Sequence, residues 1–369
     1  MKYPYRFKLL LSLLLLFAGT MAFAQTSKDV IVRTGQGPAA PFVGDAHNEG
    51  LKQMLEKHKE AVKRRQALNA EKTARAAKAA LARRSRLTKL AASITVTSTN
   101  NEDAVDANSS PVTASGDTTL RSAIEYAGVV TVDTIFVPAG TYSLDPALGQ
   151  LNVEQFMVIK GAGAGSTIIN GGHNWYRVFE IDNGPVTIAD LTVTQGYMQG
   201  DNGGGILVNA GPVELDSVDL TNNQAQVNGG GVAIEGIGVS VTAKYCTFSY
   251  DSTTVYSWGY GGGICNDSGN LTVDQCTFRH NYGDGASGAI YITAGNNVIS
   301  NCVIDSNYSL HGTGGVTGAV GSTTMTLTND TVRWNYGGGS GLGVSFTMRS
   351  CVFNYNTSGS AGGVSMGAA

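Results

Sequence analysis

The chain has 369 residues, of which 42% are hydrophobic, 14% are charged, 49 are glycine and 8 are proline. Glycine this frequent, without a collagen period and beside ordinary β-branched content, indicates many tight turns between short strands. The regular spacing of the apolar residues argues against disorder. The net charge of −3 hides an asymmetry, because residues 51–90 carry 13 basic and 3 acidic side chains, whereas residues 91–369 carry 7 basic and 22 acidic ones.

Residues 1–24 have the pattern of a secretory signal peptide. A basic start precedes an apolar run over residues 9–17, and Ala22-Phe23-Ala24 forms an A-x-A cleavage site. The run is too short for a permanent membrane span, although an uncleaved anchor is the alternative. The sequence therefore predicts an exported protein, whether secreted, periplasmic or at the cell surface, with no transmembrane segment in the mature chain.

Residues 25–45 are interpreted as a linker, and residues 46–91 as a basic stalk that is helical or partly disordered. The stalk is rich in Ala, Leu, Lys, Arg, Glu and Gln, lacks proline, and has an apolar stripe over residues 51–62 that then fades. Its positive charge suits an anionic surface such as lipid headgroups or a polyanionic glycan. A plain exposed spacer is the alternative.

The remainder divides into a cap, residues 92–150, and a repeat region, residues 151–369. In the cap, residues 94–97 and 134–137 are predicted strands, and residues 120–127 a short helix. In the repeat region a glycine-rich turn followed by an aliphatic residue recurs from Ile206 to Val364, at spacings of 26, 32, 26, 26, 26 and 22 residues. After each of the first six turns, an apolar residue stands three positions before a polar one. The polar residues are Asn223, Asp251, Asn281, Asn307, Asn335 and Asn356.

A period near 26 residues, with two strand-and-turn signals per unit, is typical of one coil of a parallel β-solenoid. A single coil cannot bury its inward side chains, so coils stack at about 4.8 Å and share a core. The strong bias of parallel crossovers makes the winding right-handed. The sequence thus predicts an all-β, right-handed parallel β-helix, in which the six polar residues form a structural ladder of side chains along the axis.

Two stretches resemble known families. TLRSAI at residues 119–124, followed by FVPAGTY at 136–142, resembles the CSLREA domain that opens many exported bacterial β-helix proteins, although Thr118 stands where that family has Cys and Ser122 where it has Glu. The glycine turns with FRHN at 278–281 and FNYN at 353–356 are similar to repeats of chlamydial polymorphic outer-membrane proteins, which are adhesin-like. The resemblances cover about residues 93–369 and imply a pectin-lyase-like solenoid.

Four cysteines share one repeat position and by period two point inward: Cys246, Cys276, Cys302 and Cys351. Buried free thiols are predicted. Disulfides between neighbouring coils are the alternative, although in-register strands give an awkward Cβ approach. Cys265 follows an inward aliphatic residue and is expected to face outward. Because no CxxC or Cys/His ligand spacing is present, no metal site is expected.

Two aromatic groups are the candidate ligand-binding residues. The first follows the ladder and should stack outside three consecutive coils: Tyr282, Tyr308 and Tyr336. The second lies in the one enlarged repeat: Tyr256, Trp258 and Tyr260. Exposed aromatic rings on a rigid scaffold stack on sugar rings or anchor a protein partner. For the first group, stabilisation by ring stacking alone is the alternative.

Arg279, Asp305 and Arg333 should form one outward column on three successive coils. An axial ladder of ion pairs is the first interpretation. The alternative assigns Arg279 and Arg333 to ligand binding or catalysis. No paired-carboxylate motif recurs at a spacing that places two acids at one cleft, so no catalytic residue is assigned.

The leading hypothesis is a non-catalytic surface or secreted recognition protein that binds an extracellular glycan or a surface protein of a host or neighbouring cell. A polysaccharide lyase or hydrolase of the pectin-lyase-like class is the first alternative, and a structural spacer is the second. No cofactor, metal or nucleic-acid partner is expected. The chain shows no polar capping helix after its last glycine turn, so we expect further coils beyond residue 369.

Overall fold

The computed structural model describes residues 93–130, 132, 134–254, 259–319, 324–337, 345–358 and 364–365. Within these ranges the chain forms one helix and 34 short strands. The strands make three parallel sheets of 17, 8 and 7 strands and one antiparallel pair. The prediction of an all-β parallel β-helix is therefore confirmed. The predicted signal peptide, linker and stalk lie outside the described residues.

Each coil has up to four strand positions, columns A to D. Column A comprises Ser93–Thr95, Thr134–Val137, Met157–Gly161, Ser240–Lys244, Asn270–Asp274, Asn296–Ser300, Thr324–Thr328 and Ser345–Arg349. Two longer strands, Val186–Thr194 and Val213–Thr221, run through columns A and B. Column B otherwise comprises Gly140–Ser143, Thr167–Asn170, Thr247–Ser249, Thr277–Arg279, Val303–Asp305, Thr331–Arg333 and Val352–Asn354.

Columns C and D complete the coil. Column C comprises Tyr197–Met198, Gln224–Ala225, Ser252–Thr253, Tyr282–Gly283, Tyr308–Ser309, Tyr336–Gly337 and Thr357–Ser358. Column D comprises Leu151–Val153, Phe179–Ile181, Ile206–Val208, Val232–Ile234, Ile264–Asn266, Ile290–Ile292, Val316–Gly318 and Val364–Ser365.

Successive coils stack in register, which places like side chains above one another. The aliphatic residues after the glycine turns pair directly, as Val232 does with Ile264 across the enlarged repeat. Inward Phe248 and Phe278 are fully buried, and their parallel rings lie 4.5 Å apart. Burial of apolar surface, worth about 25 cal/mol per Å², is thus repeated coil after coil along one continuous core.

Two corners of each coil hold one residue in the left-handed backbone region. At the corner between columns A and B, φ is +54° to +59° at Asp190, Ser217, Tyr245, Gln275, Asn301, Asn329 and Ser350. At the corner between columns B and C, φ is +51° to +57° at a set of residues called the corner row. The corner row consists of Gln195, Asn222, Tyr250, His280, Ser306, Trp334 and Tyr355. Both corners therefore have a fixed geometry that does not depend on glycine.

The predicted polar ladder lies inside the solenoid, directly after the corner row. Nδ2 of Asn281 donates to Oδ1 of Asn307 at 2.9 Å and to the carbonyl of Phe248 in the preceding coil at 2.9 Å. The same pattern joins Asn307 to Asn335 and Asn335 to Asn356. Each amide thereby uses both donors and an acceptor, which satisfies polar atoms that are buried away from water.

The cap covers the first coils with a helix and a hairpin. The helix Leu120–Val129 starts at a capping box, in which Thr119 Oγ1 accepts from the backbone of Ser122 at 3.1 Å and Ser122 Oγ accepts from the backbone of Thr119 at 2.9 Å. Ser122 therefore makes the capping contact at a position where the resembling family has Glu. The helix buries Leu120 and Ile124 in the solenoid core, and the hairpin pairs Ala104–Asp106 with Ser110–Thr113.

The five cysteines are free thiols. Cys246, Cys276 and Cys302 are buried in one inward column, and contact with the Cys246 and Cys302 thiols raises the pKa of Cys276. Cys265 lies outside the solenoid core, as its outward direction predicts, but it is fully buried and not exposed. The outer face of column D is covered by the turn that precedes it. Gly261, at φ +66°, lies so close to column D that a Cβ atom added to it would be 2.1 Å from the carbonyl oxygen of Ile264.

Asp251 is the one carboxylate in the ladder. Its Oδ1 accepts from Asn223 Nδ2 at 3.0 Å, but its Oδ2 is buried and has no hydrogen-bond partner among the described atoms. An asparagine would donate from this position, as Asn281 does to the Phe248 carbonyl. Burial raises the pKa of Asp251 well above its usual range, so the folded protein keeps this carboxyl protonated to a higher pH than the unfolded chain does.

We predict that Asp251→Asn stabilises the protein at pH 7 by about 1–3 kcal/mol, because the neutral amide can donate at this position without taking up a proton. In the wild type, the contribution of Asp251 should be fully present below about pH 4 and should be lost as the pH rises toward the raised pKa. Urea unfolding at several pH values measures both effects. Asn281→Asp is the matched control and should destabilise the protein at pH 7; a loss of stability in Asp251→Asn would contradict the account.

Candidate binding face

A groove of about 510 Å³ runs over the outer face of column B. Alternate residues of these strands face outward, so that Thr247 and Ser249 flank the inward Phe248. Most of the lining residues have polar side chains, although carbon atoms contribute most of the exposed lining surface; the residues are Gly165, Ile168, Thr192, Asp219, Thr221, Asn222, Thr247, Ser249, Tyr250 and Arg279. Five of these residues carry a hydroxyl group, and Ser249 Oγ donates to Thr221 Oγ1 in the neighbouring coil at 3.2 Å. The groove thus offers many neutral hydrogen-bonding groups and few charges.

Two members of the corner row, Asn222 and Tyr250, line this groove, and backbone hydrogen bonds hold the row in register. The amide of His280 donates to the Asp305 carbonyl at 3.3 Å, that of Ser306 to Arg333 at 3.1 Å, and that of Trp334 to Asn354 at 3.1 Å. Each corner residue is therefore tied to the next coil. Side chains in the row project at the spacing of the coils, about 4.8 Å.

Several members of the corner row are large, exposed aromatic residues. Tyr250, Trp334 and Tyr355 have 55%, 50% and 75% of their surface exposed, although φ is positive at all three. A bulky side chain in this backbone region costs stability, and asparagine or glycine accommodates it better. Because these rings are exposed, they bury little apolar surface that would offset this cost. Strained, exposed aromatic residues at corresponding corners of different coils point to a ligand-binding role.

The rings of the corner row form two stacked pairs. Tyr250 and His280 have ring centres 5.0 Å apart with planes inclined by 22°, and Trp334 and Tyr355 have centres 6.0 Å apart with planes inclined by 11°. Ser306 separates the pairs. The row is therefore interrupted at one coil, where no ring stands between His280 and Trp334.

Arg279, Asp305 and Arg333 lie in register in the predicted outward column. Only half of the expected ion-pair ladder forms, since Asp305 Oδ2 lies 3.4 Å from Arg333 Nη2 while Arg279 has no ion-pair partner among the described residues. The Arg333 guanidinium also lies 4.6 Å from the centre of the Trp334 ring. Arg279 instead borders the groove as an exposed, uncompensated cation.

The structure brings Tyr282, Tyr308 and Tyr336 together in column C, across the corner row from the groove. Their ring centres are 5.4 Å and 5.2 Å apart, and the planes are nearly parallel. Tyr282 and Tyr308 are half-buried and Tyr336 is exposed. Burial raises the pKa of Tyr282, and its hydroxyl donates to Asp284 Oδ1 at 3.4 Å. The stack contributes to packing and presents one ring edge per coil to solvent.

The second predicted aromatic group is only partly visible. Tyr260 stacks on Tyr291 with ring centres 4.5 Å apart, and burial raises the pKa of its hydroxyl. This ring therefore packs over the outer side of column D. Tyr256 and Trp258 lie outside the described residues.

The sequence-based reasoning missed the corner-row aromatics Tyr250, His280, Trp334 and Tyr355. The signal was present, since each residue stands directly before a residue of the polar ladder. A ladder residue has to point inward immediately after the corner, so the preceding residue occupies the corner itself. The groove hydroxyls were also missed, because outward threonine is common in any strand.

A second cavity of about 340 Å³ lies beside the cap helix and includes Arg121, Glu125 and Glu154 in its lining. Arg121 is buried and donates to the carbonyls of Gly149 and Gln150. Burial raises the pKa of Glu125 to about 7, and Oε2 of this residue accepts from the backbone of Ala104 at 2.8 Å. These contacts join the helix to the hairpin and to column D. The cavity therefore belongs to the cap.

Among the described residues, no group of three or more His, Cys, Asp or Glu side chains is placed to hold a metal ion. The one helix among the described residues is not long and apolar enough to cross a membrane.

Residues 159–366 match the family described as "Right handed beta helix region". This match spans more than half of the chain, and the protein belongs to the right-handed β-helix family. The predicted hand of the solenoid is thereby confirmed. Membership establishes the right-handed β-helix architecture.

Two solved structures from Azotobacter vinelandii are similar to the chain. The A-module of mannuronan C-5 epimerase AlgE6 is 14% identical, with 68% of this chain and 94% of that chain covered and a TM-score of 0.29. The A-module of mannuronan C-5 epimerase AlgE4 is 12% identical, with 68% and 95% covered and a TM-score of 0.20. No curated protein matches the chain. The resemblances to the CSLREA domain and to the chlamydial proteins stay predictions.

We predict that Tyr250→Asn changes the free energy of unfolding by less than about 1 kcal/mol. Relief of the left-handed backbone offsets the loss of a ring pair worth about 0.5–1.5 kcal/mol. Phe248→Ala, two residues earlier and fully buried, is the contrasting variant and should cost about 3–5 kcal/mol. Urea unfolding of both variants makes the comparison. A loss above about 2 kcal/mol in Tyr250→Asn would show that the ring serves the fold.

Proposed function

We propose that this chain is a non-catalytic recognition protein that binds an extracellular glycan along the outer face of column B. The observation that carries the proposal is the exposed, conformationally costly ring of Tyr250 in a groove whose lining residues are mostly polar, at one end of a row of similar corner aromatics. Neither feature improves the solenoid core. Together they make a polar, ring-lined face on a rigid scaffold.

The chemistry of the groove suits a polyhydroxylated ligand. Thr221, Thr247 and Ser249 both donate and accept hydrogen bonds, as sugar hydroxyls do, and Asp219 and Asn222 add stronger partners. The Tyr250 ring offers an apolar face on which the C–H side of a sugar stacks. Because the coils repeat, the groove presents similar contacts at regular intervals, which favours an extended ligand with a repeating unit.

The groove contains few side chains that could catalyse the cleavage of a glycan. Hydrolysis of a glycosidic bond ordinarily uses two carboxyl groups, and Asp219 is the one carboxylate in the described lining. A lyase or hydrolase is nevertheless the second candidate, because the exposed guanidinium of Arg279 borders the groove without an ion-pair partner among the described residues. A guanidinium keeps its proton in proteins, so this group is better suited to hold an anion than to accept a proton.

The setting of this function is part of the proposal. Export by the signal peptide at residues 1–24 would bring the solenoid to extracellular glycans, and the basic stalk at residues 46–91 would contact an anionic surface. A surface protein of a host or neighbouring cell is the other partner class that exposed aromatic residues accommodate. The glycan is favoured because most of the residues that line the groove carry a polar side chain, and Ile168 is the one aliphatic residue among them.

We predict that the mature chain binds one class of oligosaccharide on a glycan array, and that Tyr250→Asn weakens this binding at least about fivefold, since stacking by a central ring is worth about 1 kcal/mol or more. Isothermal titration with the selected oligosaccharide measures the loss. Tyr245→Asn is the matched control, because Tyr245 is also exposed and left-handed but lies at the other corner, outside the described lining of the groove.

If Tyr250→Asn and Tyr245→Asn weaken glycan binding equally, the groove is not the binding site. Reducing-end and unsaturated-product assays on the bound glycan, with and without calcium, test the catalytic candidate. Turnover that disappears in Arg279→Ala would overturn the non-catalytic assignment. Undiminished binding in Tyr250→Asn would show that the ligand contacts another face.

A further inference from the structure

We infer that the interruption of the corner row at Ser306 is a slot that seats the terminal or branching ring of a glycan, and that Arg279 holds an anionic substituent of that ring. The inference rests on the proposed function and deepens it, since it names a subsite and the chemistry that the subsite selects. It concerns a chain end or branch, whereas the groove over column B takes the extended part of the ligand.

The size of the slot follows from the register of the coils. His280, Ser306 and Trp334 occupy the same corner on three successive coils, as their backbone hydrogen bonds show. His280 and Trp334 are therefore two coil steps apart, roughly 9.6 Å at the usual strand spacing. The stacked pairs on either side have ring centres 5.0 Å and 6.0 Å apart. One ring inserted at Ser306 would stack on His280 and would meet, on its other face, the Arg333 guanidinium that lies over the Trp334 ring.

The orientation of the flanking rings selects which part of a glycan fits. Rings that stack from coil to coil turn their faces along the solenoid axis, so an inserted ring lies across the axis. Glycosidic bonds leave a sugar ring at its edge, and a chain attached to the inserted ring would run away from the surface. The slot therefore suits a terminal or branching unit, and an interior unit of a chain that follows the axis does not fit.

The charges around the slot select an anionic ring. Arg279 precedes His280, and Arg333 precedes Trp334, so guanidinium groups stand on both sides of Ser306. The single carboxylate between them, Asp305, accepts from Ser306 Oγ at 3.0 Å and pairs with Arg333. Arg333 is thereby neutralised and lies against Trp334. Arg279 keeps an uncompensated charge, which a carboxylate or sulfate ester on the seated ring would meet.

The test fills the slot with a ring. Ser306→Tyr places an aromatic side chain at the empty corner position, where the backbone already accommodates tyrosine in the equivalent Tyr250. Three oligosaccharides with the backbone selected by the array, ending in glucose, glucuronic acid or glucose 6-sulfate, serve as probes in titration calorimetry. We expect the wild type to bind at least one acidic-ended probe at least about tenfold more tightly than the neutral one.

Ser306→Tyr should abolish this preference and leave the affinity for the neutral probe within about twofold. Ser217→Tyr, the same change in the same backbone region at the other corner, should preserve the preference. Arg279→Gln should reduce the preference while the slot stays open. The difference between the two acidic probes shows whether the substituent is a carboxylate or a sulfate.

Two outcomes would overturn the inference and leave the proposed function standing: equal wild-type affinity for all three probes, or an unchanged preference in Ser306→Tyr. Binding of none of the three probes would remove the proposed function and the inference together. Urea unfolding of Ser306→Tyr, with stability at or above the wild-type value, separates a filled slot from a damaged fold.

Discussion

In-register stacking of parallel coils is the constraint on which the rest of this molecule depends. Because the strands of the three parallel sheets pair in register with those of the neighbouring coils, a side chain's surroundings are set by its place in the coil and by the same place in the coils next to it. The paired Phe248 and Phe278 rings and the asparagine ladder are the inward result. The stability of each coil is therefore inseparable from that of its neighbours.

The same constraint gives the outer surface a periodic chemistry. Inward positions are held to apolar groups or to amides that satisfy one another, whereas outward positions are free to vary. The corner row shows this freedom, since the left-handed backbone at Asn222 and Tyr250 is the same although the side chains differ completely. A corner that asparagine fits best and that carries exposed tyrosine or tryptophan has given up some stability, and this cost is one reason for the ligand-binding role that we propose.

This difference between inward and outward positions explains how much of the structure could be predicted from the sequence. The coils and the ladder were predictable, because alternation and a fixed period report which residues face a shared core. The burial of Cys265 was not predicted, because alternation indicates the side of a strand but not what covers that side, and here the glycine turn lies against it. Tyr250 and Trp334 were overlooked, because a residue at a corner belongs to neither face of a strand. Its exposure depends on a backbone angle that alternation does not report.

Arg279 and Arg333 compete for the Asp305 carboxylate on the outer face of column B, and the outcome sets the charge of that face. Asp305 lies in register between Arg279 and Arg333, and symmetry alone would let it pair with either. Its pairing with Arg333 is supported by two further contacts, the Ser306 hydroxyl on the carboxylate and the Trp334 ring against the guanidinium. The Ser306 hydroxyl and the Trp334 ring therefore favour the pairing of Asp305 with Arg333 over its pairing with Arg279. The charge of Arg279 is left at the edge of the groove, where a ligand rather than the protein can neutralise it.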